Sequence, residues 1–163
     1  MKYWYEKEPD LLEAEIVLMK KYFPNFKLCK LPDGRIYWRG KVNPTGPGGG
    51  IWDLKVIYQH GHPYDVGEYN YGGTIDVYPV SPNLRDIIAK FHNIPHVYYN
   101  IVDGVKEYYI CTVRPQEFVS KNDGVTKSNS SAASCISWAC KWIVVFELWA
   151  NGQVGDEAFE HTY

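Results

Sequence analysis

The stretch Pro95–Pro115, PHVYYNIVDGVKEYYICTVRP, stands between a strand-rich region and a long apolar helical segment. An Asp103-Gly104 pair at its centre has the chemistry of a tight turn between two extended runs. Cys111 follows the strand-like Glu107–Ile110 and precedes Thr112-Val113-Arg114-Pro115, where proline ends a regular ladder. That junction makes Cys111 the candidate nucleophile, expected to be exposed enough to react. His96 lies 15 positions before it and is the nearest base in the sequence, with His92 behind it.

Upstream, the chain reads as one helix and a meander. Asp10-Leu-Leu-Glu13 has capping-box spacing, and Leu12, Ile16, Met19 and Phe23 recur with helical period until Pro24 stops them. Strands are expected at Phe26–Leu31 and Arg35–Val42, joined by Pro32-Asp33-Gly34, then at Ile51–Tyr58 and Thr74–Val80. Leu84–His92 reads as a short helix. Hairpin-length connections exclude a doubly wound parallel sheet and give an α+β protein with a four-stranded antiparallel meander.

Downstream, Ser120–Ser131 reads as a polar loop. Trp138, Trp142, Val145 and Trp149 mark one face of a helix, and Ile136, Ile143, Val144 and Phe146 cover much of the rest. A helix apolar nearly all round is buried. Asn151-Gly152 ends it, and the tail Asp156–Tyr163 is acidic and expected to be partly disordered.

Composition narrows the function classes. The 163 residues fit a single domain, 1–163, with 45% hydrophobic and 22% charged residues. A net charge of −2, with scattered basic residues, argues against nucleic acid and against a polybasic membrane anchor. The polar N-terminus is unlike a secretory signal, and Cys135–Ala150 is short for a membrane span. A cytoplasmic protein with four thiols is expected.

Other motifs carry little. Asn43–Gly50, NPTGPGGG, lacks the Lys-Ser or Lys-Thr of a phosphate loop and reads as a hairpin connection. His60-Gly-His62 has no third ligand at convincing spacing, so no metal is expected, and no organic cofactor either. Cys29, Cys135 and Cys140 read as packing residues. A Cys-His hydrolase wants an orienting third residue that the sequence does not place, so from chemistry alone a reactive and a structural Cys111 stay open.

The order of parts resembles ubiquitin-conjugating enzymes. In that family a His-Pro-Asn element followed by a hydrophobic residue and Tyr precedes the catalytic cysteine. Ile94-Pro95-His96-Val97-Tyr98 is similar, with His96 in the asparagine's place, and Ile110-Cys111 resembles the hydrophobic-Cys site. The Pro-His-hydrophobic-Tyr element and the Trp-rich helix are closer to the bacterial branch found in cyclic-oligonucleotide-based antiphage signalling systems (CBASS). The resemblance implies a ubiquitin-conjugating-like fold and a cysteine thioester on Cys111, with His96 stabilising the carbonyl or oxyanion. It implies a cyclic-nucleotide synthase as acyl donor or target, and an activating partner in trans. Asp103, Glu117 and Asp123 are the candidates for deprotonating the acceptor amine. The alternative is a non-catalytic binding module on the same fold.

Overall fold

The computed structural model describes residues 2–65, 73–112, 118–120, 126–128 and 131–160. Alternating apolar residues in the first strands put one face of a sheet against the helices. In β3 (Trp52–Tyr58), Trp52, Leu54, Val56 and Tyr58 are buried, as are Ile36 and Trp38 of β2 (Ile36–Val42). Period-2 alternation requires that neighbours such as Arg39, Asp53 and Lys55 face the other way. Arg39 and Asp53 pair there through two bonds of 2.7 and 2.9 Å.

The meander is present, but the sheet is larger than expected. β1 (Lys27–Lys30), β2, β3 and β5 (Ile75–Ser81) pair antiparallel in order, as the turn signals predict. A hairpin of β6 (Val97–Val102) and β7 (Val105–Ile110) then joins through Val77↔Ile110, giving six strands ordered β1-β2-β3-β5-β7-β6. The four-strand expectation thus counted the meander and treated the hairpin around Asp103-Gly104 as an excursion. Ile110 is fully buried beside Val77, and apolar burial makes the hairpin part of the sheet.

Several short elements have no strong sequence signal. The N-terminus forms a one-turn helix, α1 (Trp4–Lys7), because Trp4 is buried against Tyr58 and His62. Helix α2 (Pro9–Tyr22) begins at Pro9 with Glu8 as its N-cap, two residues before the Asp10 cap that the capping-box spacing predicts. Tyr64–Asp65 (β4) pairs with β9 (Thr126–Ser128), which also pairs with β8 (Phe118–Ser120). Part of the expected loop Ser120–Ser131 is therefore strand. The tail contains α5 (Glu157–Glu160), whose Phe159 is fully buried against Trp142 and Trp149. That burial holds down a segment that composition alone marks as loose.

Helix α4 (Ala132–Ala150) is the core helix. Cys135–Ala150 reads as short for a membrane span, but the helix that contains it has 19 residues and is long and apolar enough to cross a membrane by length and composition. In this fold Cys135, Ile136, Ala139, Trp142 and Ile143 are all fully buried in the core. Its Glu147 accepts from Thr45 Oγ1 at 3.0 Å and Gly50 N at 2.8 Å, clamping the glycine-rich β2–β3 connection. That stretch is a tethered hairpin loop, as expected.

A buried polar chain joins both helices to the sheet. Trp38 Nε1 donates to Tyr58 Oη at 2.8 Å, and Tyr58 Oη donates to Glu15 Oε1 at 2.7 Å. The same Glu15 oxygen accepts from Ala132 N, at the first turn of α4, at 2.8 Å. Burial raises the Glu15 carboxyl above its ordinary 4.5, against the lowering effect of the Ala132 and Tyr58 bonds. Its contribution to stability is fully present below about 4.5 and lost as pH rises through the raised native value. His62 acts oppositely. Burial lowers it from 6.5 to about 3, so its contribution is present above 6.5 and lost as pH falls toward about 3. Glu15→Gln removes only the first titration, so its unfolding free energy should rise more steeply between pH 4.5 and 6.5 than the wild type's. Urea unfolding at a series of pH values measures the two slopes.

Candidate active site

The hairpin closes on its own ends. Cys111 N donates to His96 O at 2.9 Å, one pair beyond Val97↔Ile110. Two residues 15 positions apart in sequence thereby become direct cross-strand neighbours. The Asp103-Gly104 turn makes this possible: both residues have positive φ, 51° and 77°, as the tight two-residue hairpin turn demands.

His96 also has a positive φ, 59°. Histidine, asparagine and aspartate tolerate this left-handed region better than most side chains. The turn is anchored from behind: Trp142 Nε1 on α4 donates to Pro95 O at 3.0 Å. Trp142 is fully buried, stacked on Phe146 at 5.1 Å and edge-on to Trp52 at 6.1 Å. The backbone flanking His96 is therefore fixed by a core indole on one side and by the Cys111 amide on the other.

Cys111 itself is only 7% exposed, against the expectation of an open thiol. It directly follows the end of β7, and the next residue, Thr112, is fully buried. His96 is half-buried.

The remaining sequence candidates separate. Asp103 caps the far end of the hairpin, and six paired residues at ~3.4 Å each put it about 20 Å from Cys111. It is not part of the site. Glu117 and Asp123 lie outside the described residues. His92 is the exposed C-terminal cap of α3 (Leu84–Phe91). His62 turns inward, its Nδ1 2.8 Å from Thr74 Oγ1, and His60 faces Asp33 at 3.7 Å, so the two do not converge. Cys135 is fully buried, and burial raises the half-buried Cys140 thiol to about 11. Cys29 is half-buried in β1.

Three residues around the hairpin were missed: Asp76, Tyr109 and Trp142. Asp76, 1% exposed, accepts from Gln59 Nε2 at 2.7 Å. Burial pushes the Tyr109 phenol far up, and the charges of Asp76, Tyr78 and Cys111 add to this. Tyr109 thus lies within electrostatic reach of both Asp76 and Cys111. The signal for Asp76 was present: a lone charge between Ile75 and Val77 marks the strand face turned from the core. Trp142 had no such signal, because its indole looks like any other core aromatic in a helical stripe.

A family model described as "Type II CBASS E2 protein" matches residues 15–156. No curated protein and no solved structure matches the chain.

Proposed function

The chain belongs to the type II CBASS E2 proteins, with an E2-like role in antiphage defence, and from that membership we propose that it carries an acyl group as a thioester on Cys111. The observation that carries this reading is the 2.9 Å bond from Cys111 N to His96 O, which makes the two residues backbone neighbours across the open end of the hairpin.

The chemistry follows from the pair. The Cys111 thiolate attacks an activated C-terminal carbonyl of the donor, a C–S bond forms, and the activating group leaves. A lysine amine on the acceptor then adds to the thioester carbonyl. The oxyanion accepts a hydrogen bond from the His96 imidazole, the C–S bond breaks, the amine's proton is released and the amide remains. Because the acyl group arrives activated, Cys111 needs no general base to sharpen it. The donor or target is the cyclic-nucleotide synthase of the same system, with activation supplied in trans.

The second reading, a binding module, draws on the 7% exposure of Cys111 and on a groove of about 310 Å³ on the sheet face turned from the helices, lined by Arg35, Lys55, Ile57, Tyr78 and Val102. A trapping experiment separates the two. Incubation with the synthase and its activating enzyme should give an adduct that thiol reductants remove. Cys111→Ser should convert it to a reductant-stable ester. Absence of any adduct, with Cys111→Ala still protecting cells from phage, would establish the binding module instead.

A further inference from the structure

The two edges of the main sheet differ in kind. β1 is four residues long with a lysine at each end, the features that keep an edge from pairing with other chains. β6, VYYNIV, has six residues, no charge and no proline. Among the described residues it pairs with β7 alone. Tyr99, Ile101 and Val102 are 48%, 68% and 44% exposed, and Val105 across the turn is 45% exposed. A long, uncharged, apolar edge is a template for a further strand.

Its hydrogen-bond phase is fixed by the site. Opposed pairs in an antiparallel ladder alternate between bonded and non-bonded. Since His96 and Cys111 are bonded, the pairs 98/109, 100/107 and 102/105 turn their backbone groups inward. The amides and carbonyls of Val97, Tyr99 and Ile101 point outward. The side chains of Tyr99 and Ile101 share one face, where Lys106 Nζ sits 4.5 Å from the Tyr99 ring.

We propose that the acyl donor's extended C-terminal segment binds as an added strand on β6, antiparallel to it. This rests on the thioester reading above, since that reading makes a C-terminus the group that reaches Cys111. Polarity selects the orientation. β6 starts beside the site and runs away from it, so an antiparallel partner runs toward it and brings its C-terminus to the site end of the hairpin, two strand spacings or about 10 Å from Cys111, from where its last residues turn across His96 to the sulfur. A parallel strand would bring its N-terminus there instead. Six residues of strand span about 20 Å, from hairpin tip to site. Main-chain bonds to the three outward residues hold the tail, and apolar residues at alternate positions meet Tyr99 and Ile101.

The test uses the Cys111→Ser ester formed with the synthase. Amide exchange by NMR should show Val97, Tyr99 and Ile101 protected at least tenfold over the free protein. Ile101→Pro deletes one outward N–H while leaving the β7 ladder intact, and should slow adduct formation on Cys111 at least tenfold with an unchanged melting temperature. Ile101→Ala, which keeps the N–H, should slow it less than threefold. Adduct formation with unchanged exchange and a normal rate for Ile101→Pro would overturn the added strand while leaving the thioester intact. No adduct with the wild type would overturn both. Protection of the same amides in free protein of dimeric mass would give the edge to a second copy and overturn the proposal.

Discussion

Trp142→Ala is expected to lower the unfolding free energy by about 3–5 kcal/mol, the usual cost of emptying a buried tryptophan site. The indole is fully buried and touches Trp52, Phe146 and Phe159, residues of β3, α4 and α5. No single neighbour can fill the space without leaving another contact. For a domain stable by roughly 5–15 kcal/mol this is a large fraction, and the melting temperature should fall by about 10 °C. Trp142→Phe separates packing from tethering. It keeps most of the ring contact but deletes the donor to Pro95 O, at a cost of about 1 kcal/mol. Thermal and urea unfolding should therefore rank wild type, then Phe close behind, then Ala far below. If Trp142→Ala melts within a few degrees of wild type, α4 does not organise the core in this way.

His96→Ala is expected to slow amine discharge of the Cys111 thioester about 10²–10³-fold, the effect of removing one oxyanion donor. Formation of the thioester should change much less, because the proposed mechanism brings the acyl group in already activated. His96→Asn is the informative partner. An asparagine amide retains an N–H donor, and asparagine tolerates the φ of 59° found at this position. It should discharge within about tenfold of wild type. His96→Gly relieves the backbone but supplies no donor, so it should behave like alanine. Single-turnover discharge to free lysine measures all three. Recovery by glycine and not by asparagine would assign His96 a backbone role only.

The two sets of variants probe one construction. Trp142 fixes Pro95 from the core, and Cys111 fixes His96 from across the hairpin. The imidazole is thus carried on backbone with little freedom to adjust. A donor whose position is set before the reaction stabilises a developing charge without reorganising, which is where such groups gain most of their effect.

Much of this was written locally in the sequence. Alternation in Ile36–Val42 and Trp52–Tyr58, the Asp33-Gly34 and Asp103-Gly104 turns, and the Trp-rich run each act over a few residues, so the meander, the hairpin and α4 were legible. The candidate pair His96 and Cys111 was legible for the same reason: a Pro-His turn and a strand end are local features. Elements of two to four residues were not, because segments that short are stable only through what they touch. α1 exists through Trp4, and α5 through Phe159.

The sequence by itself determined that strands are antiparallel, that one long helix is buried, and which cysteine stands at a strand end. Only the tertiary structure decided that β7 joins the sheet beside β5, that Cys111 is largely covered, and that Asp103 is far from it. It also decided that an indole on α4 holds the turn carrying His96. The physical reason is range. Periodicity and turn chemistry are set by neighbours along the chain, whereas exposure, register and a hydrogen bond across 47 positions depend on where distant apolar surfaces meet.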